Sequence, residues 1–156
     1  MRGGYALILR VGKEATIMIG RRAFTIDPGV YIYSGSALGP GGVEARVERH
    51  LRRFERRDSR KGGAGKGGGY RWHIDCLLPV AESFIAVCAE SKRRTECLLT
   101  SVLKDKGMQV VKGFGSADCR SGCGGHLLFM LGGDTEAAIR AAVEGYNELG
   151  IKPSRL

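Results

Sequence analysis

Four short β-prone segments crowd into the first 33 positions, and they constrain the fold more than any other feature. Residues 5–11, 15–19, 22–26 and 30–33 are rich in aliphatic, β-branched and aromatic side chains. Glycine-containing turns follow the first two segments, and Asp27, Pro28 and Gly29 follow the third. Strands joined by such short turns pair as hairpins, so this part of the chain predicts an antiparallel meander.

The remainder of the chain alternates predicted helices with short strands. Apolar residues at helical spacing predict a helix from residue 43 onward, with a seam of Val43, Val47, Leu51 and Phe54. Further helices are predicted at residues 93–106 and 134–149, and strands at 73–78, 83–88, 109–111 and 126–131. With 156 residues and no linker, we expect a single α/β (α+β) domain over residues 1–156. A mainly antiparallel central sheet would be flanked by helices.

The positive charge of the chain is concentrated in one stretch. The net charge is +9, and residues 44–73 hold ten Lys and Arg against four Asp and Glu. Such a cluster favours nucleic acid as partner, although a merely solvated helix face remains the alternative. The residues that we expect to contact phosphate are Arg49, Arg53, Arg57, Lys66 and Arg71.

The sequence shows no membrane-spanning run and no signal peptide, so we expect no membrane partner. Five cysteines, an odd number, favour reduced thiols and a cytoplasmic location over a disulfide framework. Cys119 and Cys123, followed by His126, have a spacing similar to that of a metal knuckle. Three ligands do not close a tetrahedral site, and the nearest candidates for a fourth are His73 and Cys97. We therefore favour packed thiols here over structural zinc.

Several short motifs follow one another in a characteristic order. Residues 3–5 read Gly-Gly-Tyr, residues 33–35 read Tyr-Ser-Gly, and Arg46 and His50 lie one turn apart on the next helix. Glu96 lies in a later helix. This order resembles the GIY-YIG nuclease superfamily, with Ser34 at a usually aliphatic position and an extra hairpin between the two tripeptides.

Longer strings narrow the resemblance. Residues 29–39 (GVYIYSGSALG), 49–52 (RHLR), 72–75 (WHID) and 113–119 (GFGSADC) are similar to the Uri-type branch of that superfamily. The likeness extends from Gly3 to about Met130. Members of this branch occur alone or joined to an endonuclease III module. The resemblance therefore implies a GIY-YIG-like core with an added N-terminal hairpin, an endonuclease that hydrolyses DNA, and a DNA-repair protein as a candidate partner.

The resemblance also implies roles for five residues. Tyr5 and Tyr33 would line the pocket and position the attacking water, and Arg46 would stabilise a negatively charged phosphorane. His50 would act on the same phosphate or protonate the leaving oxygen. Glu96 would bind one Mg²⁺ or Mn²⁺ ion, held weakly without substrate because a single carboxylate is a thin ligand set.

Each of these residues has a structural alternative. The tyrosines would also suit core packing with their hydroxyl groups exposed to water. Tyr31, on the same strand face as Tyr33, could take the role of Tyr33 in the pocket. Arg46 suits a solvated basic helix, and Glu96 the positive end of a helix dipole. The competing function is a non-catalytic nucleic-acid-binding module that assists a DNA-repair enzyme. DNA is favoured over RNA as substrate, although the sequence alone does not separate the two.

Overall fold

The computed structural model describes residues 1–56, 72–115 and 122–156. Its strands are β1 (Gly3–Val11), β2 (Ala15–Ile19), β3 (Arg22–Ile26), β4 (Gly29–Ala37), β5 (Ser83–Glu90), β6 (Gln109–Val110), β7 (Leu127–Met130) and β8 (Pro153–Arg155). Its helices are α1 (Gly42–Glu55), α2 (Ile74–Leu77), α3 (Glu96–Asp105) and α4 (Thr135–Glu148), with a 3₁₀ turn at Leu78–Val80 after α2. Within these residues, six strands form one antiparallel sheet in the order β6-β7-β4-β1-β5-β8.

Strand β1 lies inside the sheet because it is apolar on both faces. All but one of its nine residues are buried, and it pairs with β4 on one side and β5 on the other. The predicted meander is therefore wrong. Strands β2 and β3 pair only with each other among the described residues, as a separate hairpin. They alternate buried and exposed residues, so they have one apolar face and cover the sheet instead of entering it.

Helices cover the sheet on both faces, which confirms the predicted α+β class. On one face, α1, α2 and the β2-β3 hairpin pack over Leu7, Leu9 and Tyr31. On the other, α3 and α4 pack over Ile8 and Ile32. Alternation along the strands separates the two faces, so Tyr31 and Tyr33 share one face while Ile32 points to the other, as predicted.

The strand predicted at residues 73–78 is wrong, because this stretch forms α2 and the 3₁₀ turn that follows it. A short apolar run does not reveal its period, and Pro79 lacks the N–H that a central strand needs. Helix α3 begins at Glu96, three residues later than predicted, and buries Leu99, Thr100 and Leu103. Cys97, Leu98 and Val102 are only half-buried.

The helix predicted at residues 134–149 is confirmed as α4. Helix α4 begins where Asp134 Oδ1 accepts a hydrogen bond from the Ala137 N–H at 2.7 Å, and it ends before Gly150, whose φ is +72°. Strand β4, predicted over residues 30–33, is longer than expected and extends through the glycine-containing stretch from Gly29 to Ala37. None of the described helices has the length and apolar character needed to cross a membrane.

Candidate active site

Tyr5 and Tyr33 lie side by side on the two central strands. Tyr5 on β1 pairs with Gly35 on β4, and Tyr33 lies two residues earlier on β4 and on the same sheet face. Their ring centroids are 6.5 Å apart. The absence of a side chain at Gly35 makes room for the Tyr5 ring, since a Cβ there would lie 2.4 Å from Tyr5 Cζ. Neither tyrosine is open to solvent, since Tyr5 is 2% and Tyr33 6% exposed.

Behind Tyr5 lies a buried line of polar groups. The Tyr5 hydroxyl is 3.1 Å from His50 Nε2, and His50 Nδ1 is 3.5 Å from Asp75 Oδ1. Asp75 Oδ2 in turn accepts a hydrogen bond from the Trp72 N–H at 3.2 Å. His50 is fully buried and Asp75 is 1% exposed. Helix α1 thus presents His50 between the tyrosine of β1 and the carboxylate of α2, and we call this line the Tyr-His-Asp relay.

Burial sets the protonation states of the relay. It lowers the pKa of His50 in spite of the nearby Asp75, so the imidazole is neutral near pH 7. Burial would raise the pKa of Asp75, but the contacts with His50 and the Trp72 N–H outweigh it, and that pKa is lowered. Burial raises the pKa of the Tyr5 phenol, while Arg46 opposes the shift. A charged Asp75 therefore favours the His50 tautomer with its proton on Nδ1, leaving Nε2 to accept from Tyr5.

Arg46 and Arg49 lie at the solvent side of the relay. Their guanidinium carbons lie 4.2 and 4.1 Å from the Trp72 ring centroid. The Trp72 ring packs edge-on against the His50 ring, with centroids 5.6 Å apart. Both arginines and Trp72 are half-buried. Stacking on the indole holds the guanidinium groups in place, so they can meet a phosphate with little further ordering.

Glu96 reaches the same end of the sheet from the opposite face. It is the first residue of α3, and Ser36 on β4 donates a hydrogen bond to its Oε2. The Ser36 hydroxyl also accepts from the Thr95 N–H at 2.9 Å. The Glu96 carboxylate raises the pKa of both Tyr5 and Tyr33, so it lies within electrostatic reach of both. Its side chain is 15% exposed and faces Arg94 at 3.9 Å.

A protein-family model described as "Domain of unknown function DUF123" matches residues 4–148. The chain belongs to the DUF123 family. Comparison with curated proteins and with solved structures found no match. The match spans every residue of the candidate site, from Tyr5 to Glu96, so the relay and the two arginines are part of the DUF123 domain itself.

An arginine-lined groove runs along the outer side of α1 in this DUF123 domain. Its volume is about 450 Å³, and its described lining is Ala45, Glu48, Arg49, Arg52, Arg53 and Arg56. Glu48 pairs with Arg52 one helical turn away. Of the predicted phosphate contacts, Arg49 and Arg53 lie in the arginine groove, whereas Arg57, Lys66 and Arg71 lie outside the described residues. Arg52 and Arg56 complete the groove and could have been found from their helical spacing with Arg49 and Arg53.

On one face of the sheet Tyr5, Tyr33, Arg46 and His50 lie together, while Glu96 lies on the other face within electrostatic reach of both tyrosines. Tyr31 is not at the site, because its hydroxyl donates to the Asp27 carbonyl at 2.8 Å. His73 Nδ1 accepts a hydrogen bond from the Gly115 N–H at 2.8 Å. His50 faces Tyr5 from inside the protein, and it has no exposed surface to offer a phosphate. Sequence reasoning missed Asp75 as the partner of His50, because residues 73–78 read as a strand.

Proposed function

We propose that this DUF123 domain is a divalent-metal-dependent endonuclease of the GIY-YIG type that hydrolyses phosphodiester bonds in DNA. The Tyr-His-Asp relay, with Arg46 beside Tyr5, carries the proposal. A tyrosine buried purely for packing does not need a neutral imidazole aligned by a carboxylate behind it. Core packing also gives no reason for two guanidinium groups to stack at the entrance.

The relay supplies a path for one proton. Neutral His50 accepts the Tyr5 proton at Nε2 while the Tyr5 oxygen takes a proton from the attacking water. The water oxygen bonds to phosphorus, the bond to the leaving oxygen breaks, and the leaving oxygen takes a proton from solvent. Asp75 stabilises the imidazolium that forms and holds its orientation. Arg46 stabilises the negative charge that builds up on the phosphoryl oxygens. Its own positive charge persists throughout the reaction, because a guanidinium does not lose its proton.

Glu96 is the residue that would hold the metal. Its carboxylate offers hard oxygen, the ligand type that Mg²⁺ and Mn²⁺ prefer, and it is partly open to solvent. A single protein carboxylate fits an ion that keeps most of its waters and bridges to substrate phosphate. When bound, the ion would polarise the phosphoryl oxygen as a Lewis acid.

One observation favours a second candidate, a nucleic-acid-binding module without turnover. Tyr5 and Tyr33 are both almost completely buried, so among the described residues Arg46, Arg49 and Trp72 are the ones positioned to meet a phosphate. A guanidinium pair stacked on an indole is also a good binding platform for nucleic acid. The two candidates differ in one measurable property, the cleavage of DNA in the presence of metal.

The decisive experiment measures nicking of supercoiled plasmid and cutting of single-stranded DNA with Mg²⁺ and Mn²⁺. We expect Glu96→Gln to abolish metal-dependent cleavage while leaving metal-free DNA binding nearly intact. Arg46→Ala should slow cleavage by about 100-fold or more, the scale for losing one partner of transition-state charge. Matched controls are Glu136→Gln, in the first turn of α4, and Arg140→Ala on its exposed side. Both should cut like the wild type.

The results separate the proposals cleanly. Cleavage that depends on Glu96 and Arg46 but not on the two controls supports the endonuclease. Salt-sensitive binding without any cleavage supports the binding module and refutes the endonuclease. Wild-type cleavage by Glu96→Gln refutes the role of Glu96 as the metal ligand.

A further inference from the structure

Three soft metal-ligating side chains meet beside the candidate active site. Cys97 Sγ is 3.4 Å from Cys123 Sγ and 3.3 Å from His126 Nε2. All three ligand atoms lie within 4.8 Å of one another. Cys97 lies in the first turn of α3, and Cys123 and His126 lie in the segment that leads into β7, with His126 directly before its first residue. We call them the Cys-Cys-His cluster.

We propose that the Cys-Cys-His cluster binds a zinc ion. Two thiolates and an imidazole are donors that Zn²⁺ prefers and that Mg²⁺ avoids. With tetrahedral angles and bonds of about 2.3 Å to sulfur and 2.0–2.1 Å to nitrogen, neighbouring ligand atoms lie roughly 3.6–3.8 Å apart. The separations of 3.4 and 3.3 Å from Cys97 Sγ to the other two ligand atoms are within a few tenths of an ångström of these values, and the third separation is within 4.8 Å.

The backbone already holds two of these ligands in place. The His126 N–H donates to the Phe114 carbonyl at 2.7 Å, and the Ser34 N–H donates to the His126 carbonyl at 2.9 Å. Cys123 is followed by Gly124, whose carbonyl accepts from the Gly113 N–H at 2.7 Å. A ligand set fixed in this way loses little conformational entropy when the ion binds.

The position of the cluster indicates what the zinc would do. Cys97 directly follows Glu96, and His126 and the Tyr33 ring lie on either side of Gly115, since a Cβ there would be 3.4 Å from His126 Cβ and 3.2 Å from the Tyr33 ring. Zinc would cross-link the start of α3 to the chain that leads into β7. It would therefore hold the Glu96 carboxylate in position while leaving the relay untouched. The described residues supply three ligands, and a tetrahedral zinc site takes a fourth donor; Cys119 lies outside the described residues. The proposal does not depend on nuclease activity.

The test is zinc content, measured on the full chain purified from zinc-supplemented cells and dialysed against metal-free buffer. We expect about one zinc per chain in the wild type and in Cys76→Ser, a control cysteine on α2. Cys97→Ser and Cys123→Ser should lower zinc affinity by at least about 100-fold, because even outer-shell changes cost 10–100-fold. When cobalt replaces zinc, the wild type should show the full thiolate-to-cobalt charge-transfer absorption. Cys97→Ser and Cys123→Ser should each lose it.

A second measurement on the wild type remains decisive if the cysteine variants fail to fold. Zinc added to the metal-free protein should raise its thermal unfolding midpoint in a concentration-dependent way, and magnesium should not. The proposal is overturned if the wild type holds no zinc and gives no thiolate–cobalt band. It is equally overturned if Cys97→Ser retains zinc, if iron or copper occupies the cluster instead, or if Cys97 and Cys123 are found joined as a disulfide.

Discussion

Gly35→Ala should displace Tyr5 and so disturb the candidate site without replacing any of its polar side chains. A Cβ at Gly35 would lie 2.4 Å from Tyr5 Cζ and 2.5 Å from the Tyr5 hydroxyl oxygen, against 3.4–4 Å for ordinary contact. The Tyr5 ring would have to retreat by roughly 1 Å. It has little room to do so, because it is 2% exposed and packs against both Tyr33 and His50.

Two costs add to give the expected loss of stability. Overpacking a close-packed core typically costs about 1–3 kcal/mol. Moving the Tyr5 hydroxyl away from His50 Nε2, now at 3.1 Å, weakens a buried hydrogen bond worth about 1 kcal/mol. The free energy of unfolding should therefore fall by about 2–4 kcal/mol, which for a domain of this size lowers the unfolding midpoint by roughly 5–15 °C. If the endonuclease proposal holds, DNA cleavage should fall as well.

Urea and thermal unfolding, followed by circular dichroism, would measure this change. Gly39→Ala is the matched control, because a Cβ there meets nothing within 4 Å and its backbone is not left-handed. It should change stability by less than about 0.5 kcal/mol. In a Tyr5→Leu background, which lacks the clashing atoms, the cost of Gly35→Ala should drop below about 1 kcal/mol. An equal cost in both backgrounds, or no cost at all, would refute the reasoning.

Three further predictions test other parts of the chain. Burial lowers the pKa of His50 in the folded protein, so the unfolded chain takes up a proton first as the pH falls. The free energy of unfolding should therefore decline below about pH 6.5. Urea titrations at pH 7 and 5.5 would measure this decline, which should be smaller in His50→Gln. Replacing both Arg52 and Arg56 by Ala should reduce the salt slope of DNA binding by up to about two, measured by fluorescence anisotropy, and an unchanged slope would place the phosphates elsewhere. Asp134→Ala should cost about 1 kcal/mol in urea unfolding by removing the α4 cap, whereas the neighbouring Thr135→Ala should cost less.

Features that depend on neighbouring residues were predictable from the sequence. The hairpin strands β2 and β3, the Asp134 cap and the end of α4 before Gly150 all follow from local turn and capping chemistry. The charge cluster of α1 is likewise visible as helical spacing of arginines. The error at residues 73–78 has a local cause too, because a run of six apolar and polar residues is compatible with either period.

The sequence by itself determined the β-rich N-terminal part, the helix ends and which residue types are available for chemistry, because backbone propensity, capping and turn formation act over a few residues. Only the tertiary structure decided which of those residues meet. Strand β1 pairs with β4 and β5 because its two apolar faces both need cover, and that pairing places Tyr5 over Gly35. His50 meets Asp75, which is 25 positions away in the chain. Cys97 meets Cys123 and His126, which are 26 and 29 positions away. Such contacts are chosen by packing of the whole core, which no local pattern encodes.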